Sequence, residues 1–413
     1  MPSCDTVLAF LRDATWFDRQ RARAYSLIFA VVALIAGLGW VAASHGGLDP
    51  LGKPLGTDFT SFWAASKLAL SGRPLSVYDL PAHAALERSI FGGADVGYSA
   101  FFYPPVFLLI CLPLALLPYL ASLAAWLGAT GYAYWRVARA AWGKTTGLTL
   151  PVLAFPAVLI NIGHGQNGFL TAALMGGGAL MMRGRPILAG LCFGALIFKP
   201  HLGLLIPVAL LASGRWKSIF AAAGAVLALV AASILAFGLD VWRGFLAVSP
   251  MARAALEQNL VGNEKMQSVF AAVRLWRGPL ALAYGGQAVV AVGAAWLLVR
   301  LARKGEDPDA LGPALIAAAL LASPFLLDYD LILLAVPLAW VLGRAERTGF
   351  LPWEKLVLSA GFLLPLVSRA LAAHFGLPLG PPVVLAVLMV VVRRGFATQG
   401  NLALTRSGLA LAA

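Results

Sequence analysis

The chain has 413 residues, 60% of them hydrophobic and only 12% charged, with a mean hydropathy of +0.83. An ordinary soluble domain needs far more polar surface than this, so the composition points to an integral membrane protein. The formal net charge of +13 does not argue for nucleic acid. Its Lys and Arg residues stand in short clusters between apolar runs, the distribution left by positive-inside topology, rather than along one face.

Arg12, Arg19, Arg21 and Arg23 precede an apolar run from Tyr25 to Ala43. The small residues Ala42, Ala43 and Ser44 give it some likeness to a secretory signal, but the run exceeds a usual signal core and reads as an uncleaved anchor. Ser218 to Gly238 and Leu280 to Leu301 also reach the roughly 18 to 20 residues that cross a bilayer as helix. None of these runs alternates as a barrel strand does. Cys111 and Cys192 fall inside apolar runs and Cys4 in the basic N-terminal segment, so no disulfide framework is expected.

Further basic clusters occur at Arg136, Arg139 and Lys144, at Arg183 and Arg185, at Arg215 and Lys217, at Arg300, Arg303 and Lys304, at Arg344 and Arg347, and at Arg393 and Arg394. If all are cytoplasmic, each consecutive pair must enclose an even number of crossings. The intervening turns at 163–168, 199–201, 240–278, 323–330 and near His374 then all face outside. Only 101–135 resists, where parity asks for one crossing and the run is long enough for nearly two; a broken or re-entrant piece near Pro113 and Pro118 reconciles it. The expectation is one all-α polytopic membrane domain over 1–413, with about twelve transmembrane helices and both termini cytoplasmic.

Two external segments are long, 44–102 and 238–278. In the first, a helix is predicted from Thr60 to Ser71 and ended by Gly72, then a second entered at Pro81 and stopped at Gly92 and Gly93. In the second, Met266, Val269, Phe270 and Val273 keep helical spacing. All three pieces read as interfacial helices on the membrane surface. The cytoplasmic loops leave no room for a nucleotide-binding domain, so a nucleotide-sugar or ATP is not expected as substrate. Gly176 to Gly178 lies inside a span and reads as close helix packing.

Ionisable groups are costly at membrane depth, so their placement is informative. Here they gather at the turns assigned outside. Asp58 fits either a base that deprotonates an acceptor hydroxyl or an N-cap for the helix after it. His164, Gln166 and Asn167, set among Gly163, Gly165 and Gly168, fit either a grip on sugar hydroxyls or a Gly-rich turn that satisfies helix ends. Lys199 and His201 flank Pro200 and suit the phosphate of a lipid leaving group, with snorkelling to headgroups as the alternative for Lys199. Asp328 and Asp330 are placed to orient hydroxyls, to act as base instead of Asp58, or to cap the next helix. Paired carboxylates can also hold a divalent metal, but no second ligand cluster accompanies them and no cofactor is expected. The aromatics Phe101, Phe102 and Tyr103 before Pro104 and Pro105 fit an interfacial belt and a helix entry.

In this order the blocks resemble glycosyltransferase family 87, of the GT-C class: Asp58-Phe59, Gly72-Arg73-Pro74, Val77-Tyr78-Asp79, Tyr103-Pro104-Pro105, Gly165-Gln166-Asn167, Lys199-Pro200-His201, Ser323-Pro324 and Tyr329-Asp330. The resemblance implies a helical GT-C-type bundle whose catalytic pocket lies under the first external loop. It implies transfer of a sugar, such as mannose, from a polyprenyl-phosphate donor to a glycan or lipid acceptor, and charge parity puts that transfer at the outer face of a cytoplasmic membrane. It also implies an acidic catalytic residue in that loop, the place Asp58 takes. Some members carry a Trp and a His after the Ser-Pro block; this chain has Leu327 to Asp330 there, which leaves the base between Asp58 and Asp330. An outer-face glycan polymerase or ligase, and a transporter or flippase of lipid-linked sugar, are the rival expectations.

Overall fold

The computed structural model describes residues 4–143 and 149–397. Lys144 lies outside them. The described residues are mainly helical, without strands, in agreement with the all-α expectation. In chain order the helices are α1 (Cys4–Asp13), α2 (Arg19–Ala42), α3 (Phe59–Leu70), α4 (Leu80–Ile90), α5 (Pro105–Cys111), α6 (Tyr119–Trp142), α7 (Thr149–Leu153), α8 (Pro156–His164), α9 (Gly168–Met181) and α10 (Pro186–Ala195). They continue with α11 (Pro200–Gly203), α12 (Ile206–Ala212), α13 (Trp216–Phe237), α14 (Leu239–Glu257), α15 (Val269–Leu275), α16 (Leu280–Lys304), α17 (Leu311–Ala322), α18 (Ala335–Thr348), α19 (Glu354–Phe375) and α20 (Gly380–Phe396).

Among the described residues four helices are long and apolar enough to cross a membrane by length and composition: α2, α13, α16 and α19. That falls short of the expected twelve. The reason is that several apolar runs turn back at a polar break. Helix α9, with 14 residues, is about 21 Å long and α17, with 12, about 18 Å, against a hydrocarbon core of about 30 Å. Three such returns, α8 to α9, α10 to α12 and α17 to α18, carry at their apices the polar blocks around 165, 199 and 328.

The basic clusters meet at one end of the bundle. Arg183 and Arg344 share Asp309 at 2.9 and 3.1 Å, and Arg344 also reaches Asp307 at 2.8 Å. Glu346 accepts from the Trp142 indole at 3.0 Å and pairs with Arg19. Arg215 donates to the Met182 carbonyl at 2.6 Å, and Arg394 is bound to the buried Glu354.

The interior is closed by small residues and aromatics. A Cβ on Gly176 would stand 2.6 Å from Val137, and one on Gly178 2.6 Å from Phe193, so these glycines do serve close packing of α9. Near the other end Phe62 meets Phe107 edge-on at 5.0 Å, and Phe107 stacks on Phe198 at 5.1 Å.

The two long connecting segments differ from their expected surface position. Helix α3 buries eight of its twelve residues, so protein encloses most of it. Helix α4 starts where Pro81 and the Asp79 cap place it, with Asp79 accepting from the Ala82 amide at 3.2 Å. Residues 239–257, expected as loop, form the 19-residue helix α14. Met266 and Phe270 pack inward against Leu327 and Tyr329 instead of facing outward, and Met266 bridges to Leu327. The 101–135 stretch breaks as foreseen: α5 is short, and Pro113 and Pro118 separate it from the 24-residue α6.

Candidate active site

The first loop brings Asp58 to the apex of the α8–α9 return. The Asp58 amide donates to the His164 carbonyl at 2.9 Å, joining two segments more than a hundred residues apart. Asp58 precedes α3 in the N-cap position, yet its carboxylate makes no capping bond. It accepts instead from the Gln166 amide at 3.0 Å and faces His164 Nδ1 at 3.8 Å. The same Nδ1 lies 2.9 Å from the Thr57 hydroxyl. The Asp58 and His164 side chains remain 29% and 32% exposed, so both can meet a ligand.

Local sequence makes this turn possible. Gly165 ends α8 in the left-handed conformation, φ +62°, and a Cβ there would meet Phe59 Cβ at 2.6 Å. Gln166 then folds back: its carbonyl oxygen accepts from the Asn167 amide at 2.7 Å and from the Tyr103 hydroxyl at 3.3 Å. Asn167 is buried, beside the Tyr103 hydroxyl, and its side-chain atoms meet no partner within hydrogen-bond distance among the described residues. Asn161, one turn earlier, donates to the Ala157 and Tyr329 carbonyls, both at 2.9 Å, and so ties this apex to the α17–α18 return.

That return holds the remaining carboxylates. Asp330 accepts from Lys199 at 2.7 Å, and the two side chains are 2% and 3% exposed. Its second oxygen takes the Leu327 amide at 3.3 Å, an N-terminal cap. The Lys199 ammonium also sits 5.1 Å over the Tyr329 ring. Lys199 would therefore have to leave Asp330 to reach a phosphate. His201 packs edge-on against Phe325 at 6.2 Å, with Nε2 buried. Asp328 spends one oxygen on the Tyr329 amide at 2.9 Å and faces Arg369 at 3.9 Å, while Tyr329 presents its ring to His164 at 6.1 Å.

So Asp58, His164, Gln166, Asn167, Asp328, Lys199 and Asp330 converge through Tyr103 and Tyr329, and His201 stands behind Lys199. Sequence reasoning placed Tyr103 and Tyr329 in its motif blocks but gave neither a hydrogen-bonding or stacking role, and it did not select Arg369. The Tyr103 block was visible as aromatic, and Arg369 as the isolated charge of an apolar run. Among the described residues no group of three or more His, Cys, Asp or Glu side chains is clustered to hold a metal ion.

The model of glycosyltransferase family 87 matches residues 101–324, more than half of the chain. The chain belongs to glycosyltransferase family 87. This family-87 chain is accordingly a membrane glycosyltransferase, acting on a sugar donor and an acceptor. The matched segment includes Tyr103, His164, Gln166, Asn167, Lys199 and His201, while Asp58, Asp328 and Asp330 join the site through the fold alone. No curated protein and no solved structure matches it.

Proposed function

We propose that this glycosyltransferase moves a sugar from a polyprenyl-phosphate donor to a glycan or glycolipid hydroxyl with inversion, at the outer face of a cytoplasmic membrane, and that Asp58 is its base. In this reaction Asp58 takes the acceptor proton as the acceptor oxygen bonds to the sugar C1. The bond from C1 to the phosphate oxygen breaks, and its electron pair leaves with the polyprenyl phosphate. His164, Gln166, Asn167 and Asp328 are suited to hold sugar hydroxyls, since each offers a polar atom at the same convergence.

The observation that carries this reading is the Asp58 carboxylate. It sits at a cap position without capping, partly exposed, steadied by Gln166 and facing His164. Asp330 is a weaker choice for base because Lys199 and the Leu327 amide occupy its oxygens. The outer-face assignment is supported by the basic clusters, which gather at one end of the bundle while the site lies where the returns end.

Purified protein given a polyprenyl-phosphate sugar, a polyprenyl-diphosphate oligosaccharide or a nucleotide-sugar should turn over the first. Asp58→Asn should lower that rate by roughly 10²- to 10⁴-fold. Full activity in Asp58→Asn ends the assignment of the base, and preference for the diphosphate donor favours the polymerase or ligase reading.

A further inference from the structure

Helix α19 carries a single charge between Lys355 and His374, that of Arg369. The helix is one of the four, among the described residues, apolar enough to cross a membrane, and an ionisable group within such a segment marks function by default. Arg369 is 48% exposed. Its nearest carboxylate, Asp328, is 3.9 Å away, too far for a hydrogen bond, and among the described residues the guanidinium donates none. Lys199, by contrast, is consumed by Asp330. Arg369 is thus a cation with free donors at the edge of the site, close enough for its charge to act on both Asp328 and His164.

The surroundings say what kind of anion reaches it. Leu366, one turn before Arg369 on the same helix, and Leu363 are exposed, as are Leu159 and Ile162 on α8, which packs against α19. An anion arriving here comes along apolar side chains, so it suits a phosphate that carries a hydrocarbon chain. Guanidinium offers a planar fork that matches two phosphate oxygens. We propose that Arg369 seats the phosphate of the lipid-linked donor, with Asp328 aiming the guanidinium. The assignment rests on the transfer reading above. Charge left on the phosphate oxygen when the bond to C1 breaks would be met there by Arg369.

The test uses polyprenyl monophosphate alone, without sugar or turnover, titrated into the full chain in zwitterionic detergent. Wild type should bind it, Arg369→Gln should bind roughly 10- to 100-fold more weakly, and Arg369→Lys should fall between. Because Arg369 is half exposed, the Gln variant should keep the wild-type melting temperature, and Tyr103→Phe, if the Gln variant fails to fold, reports on the site without touching the cation. Phosphatidylglycerol at equal concentration should fail to displace the polyprenyl phosphate; displacement by it on equal terms overturns the assignment, since Arg369 would then hold any lipid phosphate. Equal affinity in wild type and Arg369→Gln also overturns it, while retained sugar transfer by the wild type leaves the transfer reading standing. Absence of both binding and transfer in the wild type defeats the two together.

Discussion

The Lys199–Asp330 and Asp58–His164 pairs lie at the same convergence of helix returns, but their surroundings differ. The first is a closed contact at 2.7 Å with almost no exposure, the ammonium lying over Tyr329 and the carboxylate capping the 328–334 turn. The second is open, 3.8 Å apart, about a third exposed, and each member is steadied by a different neighbour, Gln166 for Asp58 and Thr57 for His164. Burial of two charges is tolerated only when each satisfies the other, which fixes the segments carrying them. A carboxylate held from the side keeps lone pairs for a substrate. The closed pair thus ties the α10–α12 return to the α17–α18 return, and the open pair is the one suited to chemistry.

The largest effect that separates them should come from Lys199→Ala, which strands the Asp330 carboxylate in the interior. A loss of about 3–5 kcal/mol is expected, read as a lower unfolding midpoint in detergent. Replacing both partners, Lys199→Met with Asp330→Leu, should restore most of it. If Lys199→Ala instead unfolds like wild type and only donor affinity falls, Lys199 belongs with the open pair. Asp58→Asn, by contrast, should leave the midpoint within about 1 kcal/mol of wild type, as its side chain supports no cap.

A smaller effect tests the strut between the two. A Cβ on Gly168 would lie 2.2 Å from the Asn161 side-chain oxygen, whose amide is pinned to the Ala157 and Tyr329 carbonyls. Gly168→Ala should push Asn161 off Tyr329 and cost about 1–3 kcal/mol. Transfer should fall with it, because the strut registers His164 against Tyr329. A variant of full stability and full activity would show that the two returns are held elsewhere.

Much of the frame was legible in the sequence because it depends on short-range signals. The apolar runs became α2, α13 and α16, Asp79 and Pro81 set the start of α4, and the Gly-rich turn at 163–168 became the α8–α9 apex. What was not legible depends on contacts between distant segments. Nothing near Lys199 announces an aspartate 131 positions away. Nothing local shows that α3, with an aromatic side typical of a surface helix, is enclosed by α5 and α6. Helix α14 was hidden by Arg243, Pro250 and Arg253, which break an apolar run but not this helix. Asp58 read as cap or base, and only the fold shows that its carboxylate caps nothing and meets Gln166 instead.

The smallest expected effect concerns a third pair that the comparison brings into view, His83 and Glu87 on α4, both essentially without exposure and 3.6 Å apart. Burial pushes the His83 imidazole down to about 4 and the Glu87 carboxyl up to about 8. At pH 7 both are then neutral, and the contact is not an ion pair. His83 Nε2 faces the Ser61 carbonyl at 3.2 Å and Glu87 accepts from the Ser99 amide at 3.1 Å, while Ser99 donates to the Thr57 carbonyl at 3.3 Å. The charged or titratable neighbours are Tyr98 against the His83 ring and, for Glu87, Asp58, whose charge further opposes ionisation. A carboxyl raised above its ordinary 4.5 stabilises the fold fully below that value and loses the contribution as pH climbs through about 8. An imidazole lowered from 6.5 costs stability as pH falls from 6.5 toward about 4. The two slopes oppose each other between 4.5 and 6.5, and only the Glu87 slope remains above that. Stability should therefore be nearly flat in acid and fall by up to roughly 2 kcal/mol between pH 6.5 and 8. Glu87→Gln keeps the shape without the titration and should abolish that fall, as measured by unfolding midpoints across the range. A Gln variant with the same alkaline loss would assign the slope to another group and leave α4 a purely packed support for the Thr57–Asp58 turn.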